Sequence, residues 1–362
     1  MARPQQNRFV VVLIVLAVVG LVGFGLLRRR TAEKTCPAPQ PGRPSAGARA
    51  PGAGPGGRPA PPVHSATATA PAPPKAGYEQ PVALPGHGPA GPARTRAEAR
   101  ADYDRAVALM AAGKLLEARA GLADALNANA LPAAQADDAR ERLVDLADKT
   151  LFSRTVWPKD PCTFEYSFQP GEVLVKVERK LALHVSERLI QRINRIAKAS
   201  QIRAGQTVKM IRGPFHAVVS KSRFLMDVYL QEHGTGRMIL VRRFRVGVGK
   251  DGSTPPGMWR VSLGRKMMRA PWTPPPSSPL PPRRILWGEP GYPLGKMGYW
   301  IGLEGVEGNP HTAADGFGIH GTDDPSSIGQ AASMGCIRLA EGDIDLLYAM
   351  LYPKWSKVNV VE

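Results

Sequence analysis

The chain has 362 residues, long enough for two or three domains and a full-sized core, and its formal net charge of +18 is concentrated rather than spread. Three cysteines, Cys36, Cys162 and Cys336, are too few for a disulfide framework and leave at least one thiol free. Seven scattered histidines and the lack of a C-x-x-C pair imply no metal centre, and no residue pattern implies a cofactor.

The first element is apolar. Phe9 to Leu27 is an uncharged run of 19 residues, about 28 Å as a helix, which matches the hydrocarbon thickness of a bilayer. It ends directly in Arg28, Arg29 and Arg30 with no small-residue cleavage site, so a retained single-pass anchor is expected at 9–27. Basic residues flank both ends, and charge alone does not settle the orientation. Residues 31–93 follow with 16 of the 36 prolines and few large apolar side chains, the composition of a semi-extended linker.

Residues 94–152 exchange Pro and Gly for Ala, Leu, Arg and Glu. Tyr103, Val107 and Met110, then Leu115, Ala118 and Leu122, fall at helical spacing on either side of Gly113. A third helix after Pro132 carries Ala139, Leu143, Leu146 and Ala147. The first two resemble a single tetratricopeptide-type hairpin; the plainer reading is a small helical spacer or dimerisation element.

From Phe164 a short strand, two helical stretches carrying Leu174 with Val177 and Leu189 with Ile193, and a closing strand Thr207 to Ile211 give a βααβ pattern. Tyr166, Gly171, Leu174, Leu189, Asn194, Ile202, Gly205 and Gln206 make 164–213 resemble a LysM module, which implies binding to N-acetylglucosamine-containing glycans. Lys176 to Arg245 holds 16 Lys or Arg against four acids, an electrostatic footprint for a polyanion. No zinc-finger spacing, RNA-binding aromatic motif or helix-turn-helix punctuation accompanies it, so nucleic acid is not expected; behind an anchor an anionic wall polymer fits, beside the plain alternative of a solvated basic face.

Residues 215–262 alternate as strands do. Two apolar runs flank the turn "QEHGTG" as a β-hairpin, which places His233 in a loop, and "GMWRVSLG" adds a strand after Thr254, Pro255 and Pro256. Downstream, His320 and Cys336 each stand beside glycine. A neighbouring imidazole can take the proton of a thiol, Gly321 and Gly335 remove bulk, and the amides of Met334, Gly335 and Cys336 are candidate oxyanion donors. Arg338 would share the face of Cys336 if the segment is extended. On chemistry alone a catalytic pair and a buried cysteine with a satisfied histidine stand equal.

Gly318 to Thr322 and Ser333 to Leu339, followed by Asp343, Leu347 and Tyr348, resemble the signature of the L,D-transpeptidase (YkuD-type) catalytic domain. Upstream, "VGVGKDGSTPPGMWRV", "APWTPPP" and "YPLGKMGYWIGL" resemble its strand and turn, tryptophan-proline loop and "PLG" stretch in order, over about 215–362. The resemblance implies a mainly-β domain with a capping loop near Met267 to Leu294. It also implies Cys336 as nucleophile, His320 as general base oriented by a carbonyl near Gly321, Arg338 as substrate-binding arginine and Ser333 at the motif's hydroxyl position. Many members have histidine where this chain has Met334.

The fold expected is therefore mixed: a transmembrane helix, a helical segment, a βααβ LysM-like module and a mainly-β catalytic domain. The function implied is peptidoglycan crosslinking through a cysteine thioester, with a tetrapeptide stem as donor and an amine as acceptor. Residues 31–362 would lie outside the cytoplasmic membrane, in the periplasm or wall space. An L,D-carboxypeptidase of the same fold and a non-catalytic wall-binding protein are the rivals.

Overall fold

The structure, a computed structural model, describes residue 84 and residues 94–274 and 281–362. The expected anchor at 9–27 and nearly all of the linker at 31–93 lie outside these; Leu84 is buried at 1% exposure. Among the described residues no helix is long and apolar enough to cross a membrane. The described residues belong to one compact unit.

Three helices open it: α1 (Arg96–Ala111), α2 (Leu115–Asn127) and α3 (Ala133–Thr150). The start of α1 is set by a capping box, in which the Thr95 hydroxyl accepts from the Glu98 amide and the Glu98 carboxylate from the Thr95 amide. Ala118 and Leu122 of α2 and Ala139, Leu143, Leu146 and Ala147 of α3 are fully buried, so the predicted apolar stripes are the ones that pack.

Next comes a βααβ arrangement: β1 (Thr163–Ser167), α4 (Leu174–Lys180), α5 (Glu187–Asn194) and β2 (Thr207–Ile211), with β1 and β2 antiparallel. Asn194 ties α5 to β2, donating to Lys209 O at 2.8 Å and accepting from the Lys209 amide at 2.9 Å. Its apolar residues Leu174, Val177, Leu189 and Ile193 are all buried.

This unit is bolted to the helices by buried charge. Arg119 of α2, 1% exposed, meets the Asp160 carboxylate at 2.7 Å and the Thr150 hydroxyl at 2.8 Å. The Lys209 ammonium donates to the carbonyls of Thr150, Ser153 and Thr155 at 2.6, 3.0 and 2.6 Å. Removing such ions from water is costly, and the dense set of partners offsets that cost.

The remainder is an eight-stranded sheet of order β11-β9-β8-β7-β12-β3-β4-β5. Its strands are β3 (Phe215–Ser220), β4 (Leu225–Gln231), β5 (Met238–Arg245), β7 (Gly257–Met267), β8 (Trp300–Gly305), β9 (Gly318–Gly321), β11 (Ile337–Leu339) and β12 (Lys357–Val361). A two-stranded parallel pair, β6 (Val248–Gly249) with β10 (Ala331–Ser333), adjoins β11 through a backbone bridge between Gly247 and Arg338, and one helix, α6 (Glu341–Met350), packs against β9. β4 and β5 form the predicted hairpin, with His233 in its turn.

The helical segment does not stand off as a spacer. Helices α2 and α3 pack on β5, where Asn127 donates to Met238 O at 2.8 Å and the Arg237 guanidinium reaches Asp124 at 2.8 Å. Arg242 pairs with Asp148, Arg243 with Asp227 and Asp137, and Arg223 with Asp137. These contacts revise the polyanion reading of the basic stretch. Of its sixteen basic residues, eight (Lys180, Arg188, Arg192, Lys221, Arg223, Arg237, Arg242 and Arg243) are in ion pairs within the chain. Lys176, Arg179, Arg195, Lys198 and Arg203, on the βααβ unit, are exposed and form no ion pair among the described residues.

Candidate active site

The parallel pairing of β9 with β11 builds the site. It sets Arg338 opposite His320 and Leu339 opposite Gly321, while β8 sets Trp300 opposite His320 from the other side. Side chains alternate along a strand, so His320, Arg338 and Trp300 share one face of the sheet. Cys336, immediately before β11, precedes Arg338 by two residues on that strand's path.

His320 is 6% exposed, held from two directions. Its Nδ1 lies 2.5 Å from Gly321 O, and a carbonyl only accepts, so Nδ1 carries the proton and Nε2 is left as the basic nitrogen. The Trp300 indole stacks on the ring at 5.7 Å between centroids, 15° from parallel. Burial depresses the imidazole to about 4, the Gly321 carbonyl opposes this and the Arg338 charge adds to it. The imidazole is thus neutral at physiological pH and able to receive a proton.

Cys336 keeps partial solvent access, and its thiol donates to Gly316 O at 3.6 Å rather than to the imidazole. Burial pushes the thiol up to about 11, while the Gly318 amide and the Arg338 charge pull it down. Thiol and imidazole are thus both uncharged at rest, so a thiolate at Cys336 would have to form by proton transfer to a base.

The turn that presents the sulfur is locked by two hydroxyls. Ser333 Oγ donates to Cys336 O at 2.6 Å and accepts from the Gly335 amide at 3.2 Å. Thr254 Oγ1 donates to Gly335 O at 2.9 Å and accepts from the Gly249 amide at 2.7 Å. Gly335 has φ of +128°, and a Cβ there would come within 3.0 Å of Ser253 O and of the Phe317 ring, so only glycine fits. Among the expected oxyanion donors, the Gly335 amide is engaged by Ser333; those of Met334 and Cys336 lie outside that bond.

Gly321 is buried against Leu294 O and Ile344, and its carbonyl is the one that fixes His320. Nearby, the Glu341 carboxylate accepts from the Lys296 and Met297 amides at 3.1 and 3.0 Å, tying the "PLG" stretch to α6. The described parts of the expected capping loop are tied down as well: Trp272 bridges Ile285, Tyr292 donates to Ala270 O at 2.5 Å, and Arg269 lies 4.2 Å over the Trp287 ring. Among the described residues no cluster of His, Cys, Asp and Glu is placed to hold a metal ion.

Sequence reasoning quoted Thr254 and Trp300 inside motifs without giving either a task. The signal for Thr254 was its place before Pro255, where a strand-linking turn puts a hydroxyl next to backbone amides. Nothing local marked Trp300, whose partner is twenty residues away.

Residues 214–360 match the model of the YkuD family, the L,D-transpeptidase catalytic domain, so this part of the chain carries a domain of that kind. A Bacillus licheniformis protein named provisionally as L,D-transpeptidase YkuD is 27% identical over 201 residues, which is 54% of this chain and 97% of that one. An Escherichia coli K12 protein named provisionally as L,D-transpeptidase ErfK/SrfK is 28% identical over 131 residues, 34% of this chain and 37% of that one. Among solved structures, an L,D-transpeptidase from Mycobacterium smegmatis aligns with a TM-score of 0.31 at 16% identity, covering 44% of this chain and 64% of its own. One from Mycobacterium tuberculosis aligns at 0.29 and 17%, covering 44% and 63%.

Proposed function

We propose that the chain is a cysteine-dependent peptidoglycan L,D-transpeptidase. The observation that carries this reading is the neutral His320 and Arg338 set opposite each other on β9 and β11, with Cys336 on a locked glycine turn beside them, inside a segment that matches the family.

In the reaction, Cys336 Sγ attacks the carbonyl of the third stem residue while His320 Nε2 takes the thiol proton. The tetrahedral oxyanion is met by the amides of Met334 and Cys336, which Ser333 leaves open. Its collapse breaks the amide bond to the terminal D-alanine, whose amine leaves with the proton from His320. A side-chain amine of a neighbouring stem then attacks the thioester, gives its proton to His320, and the thiol is restored as the new amide forms. Arg338, on the same face, holds a carboxylate of the donor stem.

The rest of the chain is read around this chemistry. Residues 9–27 anchor it in the cytoplasmic membrane with residues 31–362 outside, and the βααβ unit at 163–211 serves as a LysM-like glycan-binding module. The exposed Lys176, Arg195, Lys198 and Arg203 face an anionic wall.

The test is incubation with disaccharide-tetrapeptide, product analysis by mass spectrometry, and a parallel Cys336→Ala protein. Crosslinked dimer from the parent alone supports transpeptidation. Tripeptide without dimer assigns an L,D-carboxypeptidase. No turnover together with no carbapenem adduct on Cys336 overturns the enzyme reading and leaves a wall-binding protein, with Met334 in place of a histidine as its origin.

A further inference from the structure

The face of the sheet away from His320 carries a cleft that this chemistry does not use. Lys266 of β7 pairs with Ile301, the neighbour of Trp300, so strand alternation turns its side chain to the opposite face from the imidazole. There its ammonium donates to Leu351 O at 2.7 Å and lies 4.3 Å from the centre of the Tyr348 ring. Opposite it stands α4, with the turn after α6 at one end, and the open cleft between them holds about 400 Å³ at the seam between the βααβ unit and the sheet. Seams between structural units are a common location for ligand sites.

The lining pairs flat apolar surface with hydrogen-bonding groups. Trp355, stacked on His184 at 3.9 Å, lines the cleft with Tyr352. The Glu178 carboxyl, only 4% exposed, is raised by burial and lowered by its bond to the Tyr352 hydroxyl. At the rim, β7 slips register between Val261 and Lys266, and Gly264 at φ +75° turns Leu263 outward to 74% exposure. Leu263 thus offers an aliphatic surface at the edge of the cleft.

Charge narrows the ligand. Glu178 and Glu187 face Arg179, Lys266 and Lys354, so both signs are interspersed and neither a polyanion nor a polycation is favoured. A neutral, hydroxyl-rich molecule uses donors and acceptors alike, while its C–H faces pack on an aromatic ring.

We infer that this cleft is a saccharide site, taking pyranose units of a neutral glycan strand against Trp355 and Leu263, with hydroxyls shared between Glu178, Arg179 and Lys354. The choice of a glycan rests on the peptidoglycan reading above. The site is separate from Cys336 and holds sugar on the far side of the sheet from the reacting stem peptide.

The test is titration of the full chain with a peptide-free tetramer of β-1,4-linked N-acetylglucosamine, followed by calorimetry and tryptophan fluorescence. Saturable binding is expected, weakened at least tenfold in Trp355→Leu and Glu178→Gln, and severalfold in the exposed variants Arg179→Ala and Lys354→Ala, which decide the matter if the buried variants do not fold. Arg96→Asp, an exposed change at the start of α1 and outside the βααβ unit, binds like the parent. No binding by the parent, undiminished binding in the cleft variants, or loss in Arg96→Asp overturns the site. Carbapenem adduct formation on Cys336 in the same preparations reports separately on the proposed reaction: an adduct without sugar binding overturns the cleft alone. Sugar binding lost with the cleft variants but without an adduct sustains the cleft and overturns the catalytic reading.

Discussion

Thr254→Val keeps the shape of a residue 81 positions from Gly335 and removes the hydroxyl that joins them. Thr254 is 3% exposed, and its Oγ1 makes two bonds, from the Gly249 amide at 2.7 Å and to Gly335 O at 2.9 Å. Two neutral bonds at about 1 kcal/mol each give a loss near 2 kcal/mol, rising to about 3 kcal/mol because both backbone groups are left buried without a partner. For a unit of this size that corresponds to a Tm lower by about 4 to 12 °C. On the proposed mechanism function suffers as well, since the freed carbonyl belongs to the residue before Cys336, and a displacement of about 1 Å at a reacting group costs up to 10²-fold. The assay is the second-order rate of carbapenem acylation of Cys336, read by intact mass at a temperature well below either Tm. A fall of at least about tenfold is expected. A folded variant with an acylation rate within twofold of the parent refutes the idea that Thr254 positions the thiol.

Gly335→Ala is expected to abolish acylation and destabilise by about 1–3 kcal/mol, because φ of +128° and contacts of 3.0 Å leave no room for a methyl group; dimer yield and thermal melting check it. Arg119→Met strands the fully buried Asp160 carboxylate and should cost about 3–5 kcal/mol in urea unfolding, against which Asp160→Asn in the same background restores part of the loss. With His320 held at about 4, the acid limb of acylation falls near pH 4; a limb at about 6.5 would place the imidazole in water. Burial likewise depresses His184 to about 4 and His216 to about 3. All three bind a proton more readily unfolded than folded. Their stability contribution is complete above about pH 6.5 and is lost as pH falls toward 4, which denaturant midpoints across that range measure.

Local pattern carried much of the architecture. The helical stripes at Ala118 and Leu122 and at Leu143 and Leu146 and the hairpin around His233 follow from periods of 3.6 and 2, whereas the shared face of His320 and Arg338 comes from the pairing of two separate strands. What stayed hidden depends on partners distant in sequence. The basic count between 176 and 245 looked like a ligand footprint partly because Asp124, Asp137 and Asp148, which pair with four of its sixteen basic residues, lie earlier in the chain. The Thr254 clasp and the engagement of the Gly335 amide by Ser333 are set by how loops fold back, which no periodicity encodes.

The contact of α2 and α3 with β5 bears on where this chain can be cut. β5 is the last strand of the eight, and a last strand offers a row of open amides and carbonyls to any passing chain. Asn127 occupies one such carbonyl, at Met238, and α2 and α3 both pack on this strand. A fragment trimmed to residues 214–360 would retain every residue assigned to the chemistry and yet expose an adhesive border, so the segment before the βααβ unit serves as the sheet's built-in guard against self-association.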